Sequence, residues 1–211
     1  MKMKNFNGLT NSILSFCLAT LFLAGCNNDS ETKKSEDSTM GTSTNAGDTT
    51  MDTIAMSTDT AMVQSAMVNI SPTYADTAVS GTAIFTTANG EVTMKLDLTI
   101  PSKAGKTVAV HLHEHGDCSD NGKSSHGHWN PTKEEHGKWG KAPYHRGDIG
   151  NVKLDNKGKG SLTITTDFWT LGSTSDKNLL GKALIVHGGM DDYQTQPTGD
   201  AGSRIGCGVI Q

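Results

Sequence analysis

Apolar and polar residues alternate most regularly between positions 91 and 100. In this segment every second side chain is apolar: Val92, Met94, Leu96, Leu98 and Ile100. A period of two predicts a β-strand with one buried face. The segment before it, SGTAIFTTA, predicts a partner strand, since Asn89-Gly90 between the two is a typical hairpin turn.

Shorter patterns of the same kind predict strands at 107–114, 151–154, 161–166, 182–187 and 207–210. No long stretch has the three-to-four-residue period of an amphipathic helix. Several short strands separated by Gly- and Asn-rich turns predict an all-β sandwich or barrel.

One long interval, residues 116–150, contains no convincing strand. It does contain four histidines: His126, His128, His136 and His145. A loop of this length inside a compact domain is usually functional or disordered. Metal ligands and a disulfide can order such a loop although it has little core of its own.

The first 25 residues are predicted to be a lipoprotein signal peptide. Lys2 and Lys4 precede an apolar stretch at 13–24 that is short for a membrane span and typical of an export signal. The stretch ends in Leu-Ala-Gly before Cys26, which looks like a bacterial lipobox. We therefore expect export and a lipid on Cys26, which anchors the protein to the bacterial envelope on the periplasmic or surface side.

Residues 26–65 are predicted to form a disordered linker after the lipidated cysteine. From residue 27 on they contain no aromatic side chain and seven acids against two lysines, so little apolar surface is available for burial. Recurring methionines could also make the linker a copper-binding tether, since thioethers suit Cu(I), although their loose spacing defines no coordination geometry.

Residues 66–211 have the length of a single domain. The chain has 18 basic and 22 acidic residues, of which 4 and 7 precede residue 66. The domain therefore has 14 basic and 15 acidic residues, a net charge of −1. No basic field for nucleic acid is present, and any electrostatic attraction of a ligand must be local.

Two cysteines belong to this domain, Cys118 and Cys207. In an exported protein an even pair favours a disulfide, with a reactive thiol pair as the alternative.

Histidines dominate the candidate chemistry. Seven of the eight lie between positions 111 and 145, and the eighth, His187, ends an apolar run. Imidazole suits copper and zinc, and a nearby carboxylate such as Asp148 is compatible with zinc. The segment HLHEHGDC could place His111, His113 and His115 in one row, either as a metal site, as part of a larger one, or as a polar strand edge.

The order and spacing of these residues resemble the copper/zinc superoxide dismutases. The matching motifs are HLH at 111–113, HWNP at 128–131, His136, HRGD at 145–148, His187 and AGSRIGCGV at 201–209. The resemblance covers most of residues 66–211, and the chain looks more like the bacterial envelope (lipoprotein) form of the family than like the animal cytosolic form. It implies a Greek-key β-barrel, a flattened sandwich of eight antiparallel strands with a long metal-binding loop.

The resemblance also implies a role for each residue of the site. The copper ligands would be His111, His113, His128 and His187. The zinc ligands would be His128, His136, His145 and Asp148, with His128 shared between the two metals. Asp191 would hydrogen-bond one histidine of each metal, Arg204 would dock the substrate anion, and Cys118 and Cys207 would form the disulfide.

The implied activity is dismutation of superoxide to oxygen and hydrogen peroxide by a redox-cycling copper, with Arg204 and His128 as catalytic residues. A copper-binding or copper-delivery lipoprotein with little turnover is the alternative, and a zinc-binding surface module is a weaker one. His115 and His126 match none of the family's metal ligands. They are either exposed residues with no role in the site or ligands of an additional metal. The resemblance leaves monomer and homodimer both open.

Overall fold

The computed structural model describes residues 64–211, so the predicted signal peptide, Cys26 and linker residues 27–63 lie outside the described part. The described strands are β1 (Ser65–Pro72), β2 (Ser80–Ala88), β3 (Glu91–Thr99), β4 (Thr107–His113), β5 (Gly150–Lys153), β6 (Lys159–Thr166), β7 (Ala183–His187) and β8 (Arg204–Val209). The other regular elements of residues 64–211 are two short 3-10 helices, η1 (Pro101–Lys103) and η2 (Asp120–Ser125). The predicted all-β class is confirmed.

The strands pair antiparallel in the order β5-β4-β7-β8-β1-β2-β3-β6. Strands β5 and β6, at the two ends of this order, contact each other, which makes the sheet a nearly closed barrel. Strands β4, β5 and β6 follow one another around the barrel, and β7 returns to lie beside β4. This order is the predicted Greek key.

Strand β1 was not predicted from the sequence, although its buried and exposed residues alternate regularly in the structure. Ala66, Val68 and Ile70 are buried while the residues between them are exposed. The strand pairs with β2 over most of its length and with β8 at its end, through Ser71 and Cys207. Its signal in the sequence is weak because the strand borders the polar linker and because Met67, apolar but exposed, interrupts the alternation of Ala66, Val68 and Ile70.

Residues 114–149 contain no strand, as predicted. Their one regular element is η2, and a disulfide between Cys118 and Cys207 joins the start of this loop to β8. The disulfide prediction is therefore confirmed. Among residues 64–211 the structure has no helix of a length and hydrophobicity suited to crossing a membrane.

Candidate metal centre

Three histidines project from the outer face of two neighbouring strands. Strand β4 is buried on both faces: Val110 and Leu112 point into the barrel core, while His111 and His113 point outward beneath the long loop. His187 ends the adjacent strand β7, just after a register shift that follows Val186. Such irregularities often re-aim a side chain next to a functional site.

A fourth histidine reaches the same place from the loop. His128 forms an isolated antiparallel bridge with His113. The next residue, Trp129, is buried in the core, and its backbone N–H donates to the Leu112 carbonyl at 2.8 Å. This packing fixes the loop against the end of β4 and brings His128 beside His111, with ring centroids 4.0 Å apart.

Two clusters of buried donor groups result, and His128 belongs to both. The four-histidine cluster consists of His111, His113, His128 and His187. The mixed cluster consists of His128, His136, His145 and Asp148. Within each cluster the donor atoms lie within 4.8 Å of one another, and all seven residues are buried.

In the four-histidine cluster, hydrogen bonds determine which ring nitrogen carries a lone pair. The Nδ1–H groups of His113 and His187 donate to the carbonyls of His126 and Gly202, at 2.9 and 3.2 Å. In a neutral imidazole the other nitrogen is then an unprotonated acceptor. Both Nε2 atoms therefore carry lone pairs, yet they lie only 3.4 Å apart. A cation shared by the two nitrogens resolves this repulsion.

The mixed cluster converges in the same way on one carboxylate oxygen. Asp148 Oδ1 lies 2.8 Å from His128 Nδ1 and 3.1 Å from Nδ1 of both His136 and His145. The last two nitrogens nevertheless make no hydrogen bond. Ligands at zinc-bond lengths around a tetrahedron lie about 3.3 Å apart, so these spacings fit a shared ion.

Asp191 lies between the two clusters. The Nε2–H of His111 donates to its Oδ2 at 2.9 Å, and the Nε2–H of His136 donates to its Oδ1 at 3.0 Å. Each bond leaves the Nδ1 atom of its imidazole free to bind a metal, and buried carboxylates commonly orient metal-binding histidines in this way. Asn151 holds the Asp191 backbone with two hydrogen bonds of 2.9 Å.

Three further residues position this arrangement and were missed by the sequence analysis. They are Asn151, Gln196, whose side chain binds the backbone N–H and carbonyl of His136 at 2.9 and 3.0 Å, and Gly199. A methyl group on Gly199 would overlap Asp191 Oδ1 and lie 2.6 Å from His136 Nε2. Their roles depend on contacts across the fold, and no motif in the sequence marks them.

Arg204, at the start of β8, holds the loop and faces the four-histidine cluster. Its guanidinium donates to the carbonyls of Gly122 and His126, at 2.7 and 2.6 Å, and to Ser125 Oγ at 3.0 Å. It is half-buried, and burial lowers its pKa. Even so, a guanidinium is charged throughout the physiological range.

Burial and neighbouring charges set the protonation of the histidines. Burial lowers the pKa of His113 and His187 well below the usual value, and nearby imidazoles and Arg204 lower both further. Burial also lowers the pKa of His128 to about 4. These residues are therefore neutral at pH 7, as metal ligands must be.

The remaining shifts come from the carboxylates. Burial alone would lower the pKa of His136, but the nearby Asp148 carboxylate and the hydrogen bond to Asp191 raise it to about 9. Burial opposes ionisation of Asp148 and Asp191, yet contacts with the surrounding histidines hold the pKa of both far below the usual range. Both acids are ionised, which adds negative charge where cations would bind.

His115 and His126 lie outside both buried clusters. Strand β4 ends at His113, so His115 does not continue the row that the alternation suggested. Both side chains are exposed, and their rings contact each other with centroids 4.5 Å apart. Of the three histidines in HLHEHGDC, two therefore enter the four-histidine cluster and one does not.

The donor sets fit two different metals. Four imidazoles suit copper, and three imidazoles with one carboxylate suit zinc. Four of the nitrogens that would bind them are buried without a hydrogen-bond partner among residues 64–211: His111 Nδ1, His128 Nε2, His136 Nδ1 and His145 Nδ1. Since buried polar atoms are nearly always paired, these atoms indicate ligands that belong to the site.

Known proteins agree with this geometry. The family model for copper/zinc superoxide dismutase (SODC) matches residues 79–210. Superoxide dismutase (Cu-Zn) 1 of Aquifex aeolicus is 38% identical over 136 residues, which cover 62% of this chain and 79% of the relative. Superoxide dismutase (Cu-Zn) 2 of the same organism is 39% identical over 139 residues, covering 63% and 80%.

Solved structures show the same barrel. The clock protein EA4 superimposes with a TM-score of 0.61 at 30% identity, covering 70% of this chain and 93% of that protein. A double mutant of a SOD-like protein from Bacillus subtilis gives a TM-score of 0.60 at 28% identity, covering 68% and 95%. From the family match over residues 79–210 and the identity to these relatives, the chain belongs to the copper/zinc superoxide dismutase family.

Proposed function

We propose that the chain dismutates superoxide to oxygen and hydrogen peroxide at a copper–zinc centre in the bacterial envelope. The four-histidine cluster would hold copper through His111, His113, His128 and His187. The mixed cluster would hold zinc through His128, His136, His145 and Asp148. The curated relatives are superoxide dismutases with copper and zinc, which supports the activity and both cofactors.

One observation carries the assignment: the two ring nitrogens of His128 face different clusters. Its Nδ1 lies 2.8 Å from Asp148 Oδ1, while its Nε2 is buried and has no hydrogen-bond partner in the part of the chain that the structure describes. An imidazole with this placement can serve two ions at once, one at each nitrogen. The protein thereby couples a site suited to copper with one suited to zinc.

Copper supplies one-electron redox chemistry when bound, whereas zinc has a single oxidation state and serves to orient its ligands. The residues supply the rest. Two superoxide ions and two protons give one oxygen and one hydrogen peroxide, so the site must deliver protons as well as attract anions. His128 Nε2 is the atom that would carry a proton, because it faces the four-histidine cluster and has no other partner.

Arg204 would attract and dock the anion. Its charge lowers the pKa of both His113 and His187, although burial contributes more, which places the guanidinium close to the copper ligands. The domain has a net charge near zero, so local attraction of this kind must replace a global field.

Selective ligand variants test the assignment. We expect His113→Ala to lose copper and dismutation while retaining zinc, and His145→Ala to lose zinc. His115→Ala, which alters an exposed histidine outside both clusters, is the matched control and should retain both metals and full activity. Retention of copper by His113→Ala, or full dismutation without it, would refute the assignment.

We also propose that Cys26 is lipidated and that the domain acts at the envelope. The support is the basic, apolar and small-residue pattern of residues 1–26. The disulfide is a second support, because such bonds persist mainly in oxidising compartments outside the cytoplasm. Labelling with a radioactive fatty acid tests this: the wild type should carry label in the membrane fraction and Cys26→Ser should not. Equal labelling of the two would exclude lipidation at this residue.

A further inference from the structure

Two histidines of the chain are left over by the copper–zinc centre, and the fold places them together. Six of the eight histidines belong to the two buried clusters, and the other two are His115 and His126. They are eleven positions apart along the chain, yet their rings are in edge-to-face contact, with centroids 4.5 Å apart. Glu114 completes a third group whose possible ligand atoms lie within 4.8 Å of one another.

The backbone holds this group in place. Glu114 N–H donates to the Gly127 carbonyl at 3.1 Å, and His115 N–H donates to the Ser125 carbonyl at 3.2 Å. These bonds extend the pairing of His113 with His128 outward from the barrel. Residues 114–115 and 125–127 therefore run side by side, and the exposed side chains of Glu114, His115 and His126 meet at the surface.

We propose that Glu114, His115 and His126 form a third metal site, exposed and labile, for a divalent cation such as Zn²⁺ or Cu²⁺. Two imidazoles and one carboxylate are a common donor set for zinc and also suit Cu²⁺. With only three protein ligands on an open surface, water completes the coordination. The bound ion therefore exchanges with solvent, unlike ions in the buried clusters.

Nearby charges change the affinity of this site for a cation in opposite directions. Asp117, two residues after His115, adds an exposed carboxylate whose pKa is lowered by hydrogen bonds from Ser119. Lys182 Nζ donates to the Glu114 carbonyl at 3.0 Å, which adds a positive charge and weakens cation binding.

The third site touches the copper side through one carbonyl group. The His126 carbonyl accepts hydrogen bonds from His113 Nδ1–H at 2.9 Å and from Arg204 at 2.6 Å. A cation on the His126 imidazole thus binds the same residue whose backbone orients a copper ligand and the anion-docking arginine. The site lies at the rim of the catalytic centre and is separate from its ligands.

The test is calorimetric titration of Zn²⁺ into the full chain already loaded with copper and zinc, whose metal content is verified first. We expect one further equivalent to bind the wild type. His115→Ala and His126→Gly should each weaken this binding by ~10–100-fold or more, because the loss of a residue that only supports a metal ligand already costs that much affinity. Glycine suits position 126, since its φ of 63° is rare for other residues.

A matched pair of charge variants completes the design. Glu114→Gln should weaken binding of the extra Zn²⁺, whereas Glu91→Gln, at an exposed acid that belongs to none of the three ligand groups, should leave it unchanged. The inference is overturned if the wild type binds no further Zn²⁺, or if both histidine variants bind it as the wild type does. The difference between wild type and variants is the readout, so failure of the copper–zinc assignment would appear separately, in the metal content of the starting protein.

Discussion

Single side chains in this centre have two tasks, and Arg204 is the clearest case. It bonds four groups of the loop, at Gly122, Lys123, Ser125 and His126, while its charge lies close to two copper-ligand candidates. Because the guanidinium fork makes several bonds at once, lysine can replace its charge but not its geometry.

We therefore expect Arg204→Ala to lower kcat/KM for superoxide by about tenfold or more, the lower end of what local electrostatic steering contributes. Arg204→Lys should recover part of the loss, and Lys123→Ala, which removes an exposed cation of the same loop, should have little effect. Activity is measured together with bound copper and zinc. Activity of Arg204→Ala equal to that of the wild type, at the same copper and zinc content, would contradict the placement of this residue as an anion dock.

Protonation of the buried histidines predicts how the metal-free protein responds to acid. His128 has a pKa of about 4 in the folded chain against 6.5 in the unfolded one, so between these values only the unfolded chain binds the proton. The free energy of unfolding then falls as the pH falls through this window, by about 1.4 kcal/mol per pH unit for one histidine. His111, His113 and His187 act in the same direction.

His136 acts in the opposite direction, because its pKa is raised to about 9. Its contribution is fully present below pH 6.5 and is lost as the pH rises through 9. Urea unfolding of chelator-treated protein at pH 7.5 and 5.5 measures the balance, and we expect lower stability at pH 5.5. Equal stability at the two values would show that the buried histidines do not stay neutral.

At the level of structural elements, the loop before β8 controls the centre through a glycine. Gly199 has a φ of +71°, and a side chain there would collide with Asp191 and His136. We expect Gly199→Ala to break the link between the clusters and weaken metal binding about 10–100-fold. Gly181→Ala, at φ +77° with no atom within 4 Å of the added carbon, has the same backbone cost without the collision. Equal metal affinity in the two variants would contradict this role.

The disulfide connects a second pair of elements, the loop around η2 and strand β8. Cys118 and Cys207 are 89 residues apart, and closing so long a loop restricts the unfolded chain strongly. We expect the double variant Cys118→Ala, Cys207→Ala to lose about 2–5 kcal/mol of unfolding free energy in urea. Reduction of the wild type should give a similar loss. A double variant as stable as the wild type would show that the bond contributes little.

Elements with regular alternation could be predicted from the sequence, and those with non-local partners could not. The β2–β3 hairpin was predicted because its pattern and its Asn89-Gly90 turn are local. Strand β1 was missed because exposed Met67 blurs its short alternation, and its clearest evidence is its pairing with β2 and β8, which the sequence does not display. Asn151, Gln196 and Gly199 escaped for the same reason, since each acts on a residue distant in sequence.

On the scale of the whole molecule, the metal ligands come from two parts of the fold. Some lie on strands β4 and β7 of the barrel, while His128, His136, His145 and Asp148 come from the long loop. The spacing of the motifs predicted which residues would meet, because the resemblance to the family also implied the Greek-key barrel that brings them together. The exposed group of Glu114, His115 and His126 was beyond that resemblance and emerged only from the fold.

The central claim is that one copper, bound beside one zinc, makes this chain a superoxide dismutase. The most direct measurement is a titration of the zinc-loaded protein with Cu²⁺, with loosely bound metal removed by gel filtration before each assay of superoxide decay. We expect no catalysis before copper is added, then a linear rise in the rate of superoxide decay, with a break at one copper per chain. Protein that holds a full equivalent of copper and leaves superoxide decay at the uncatalysed rate would contradict the central claim.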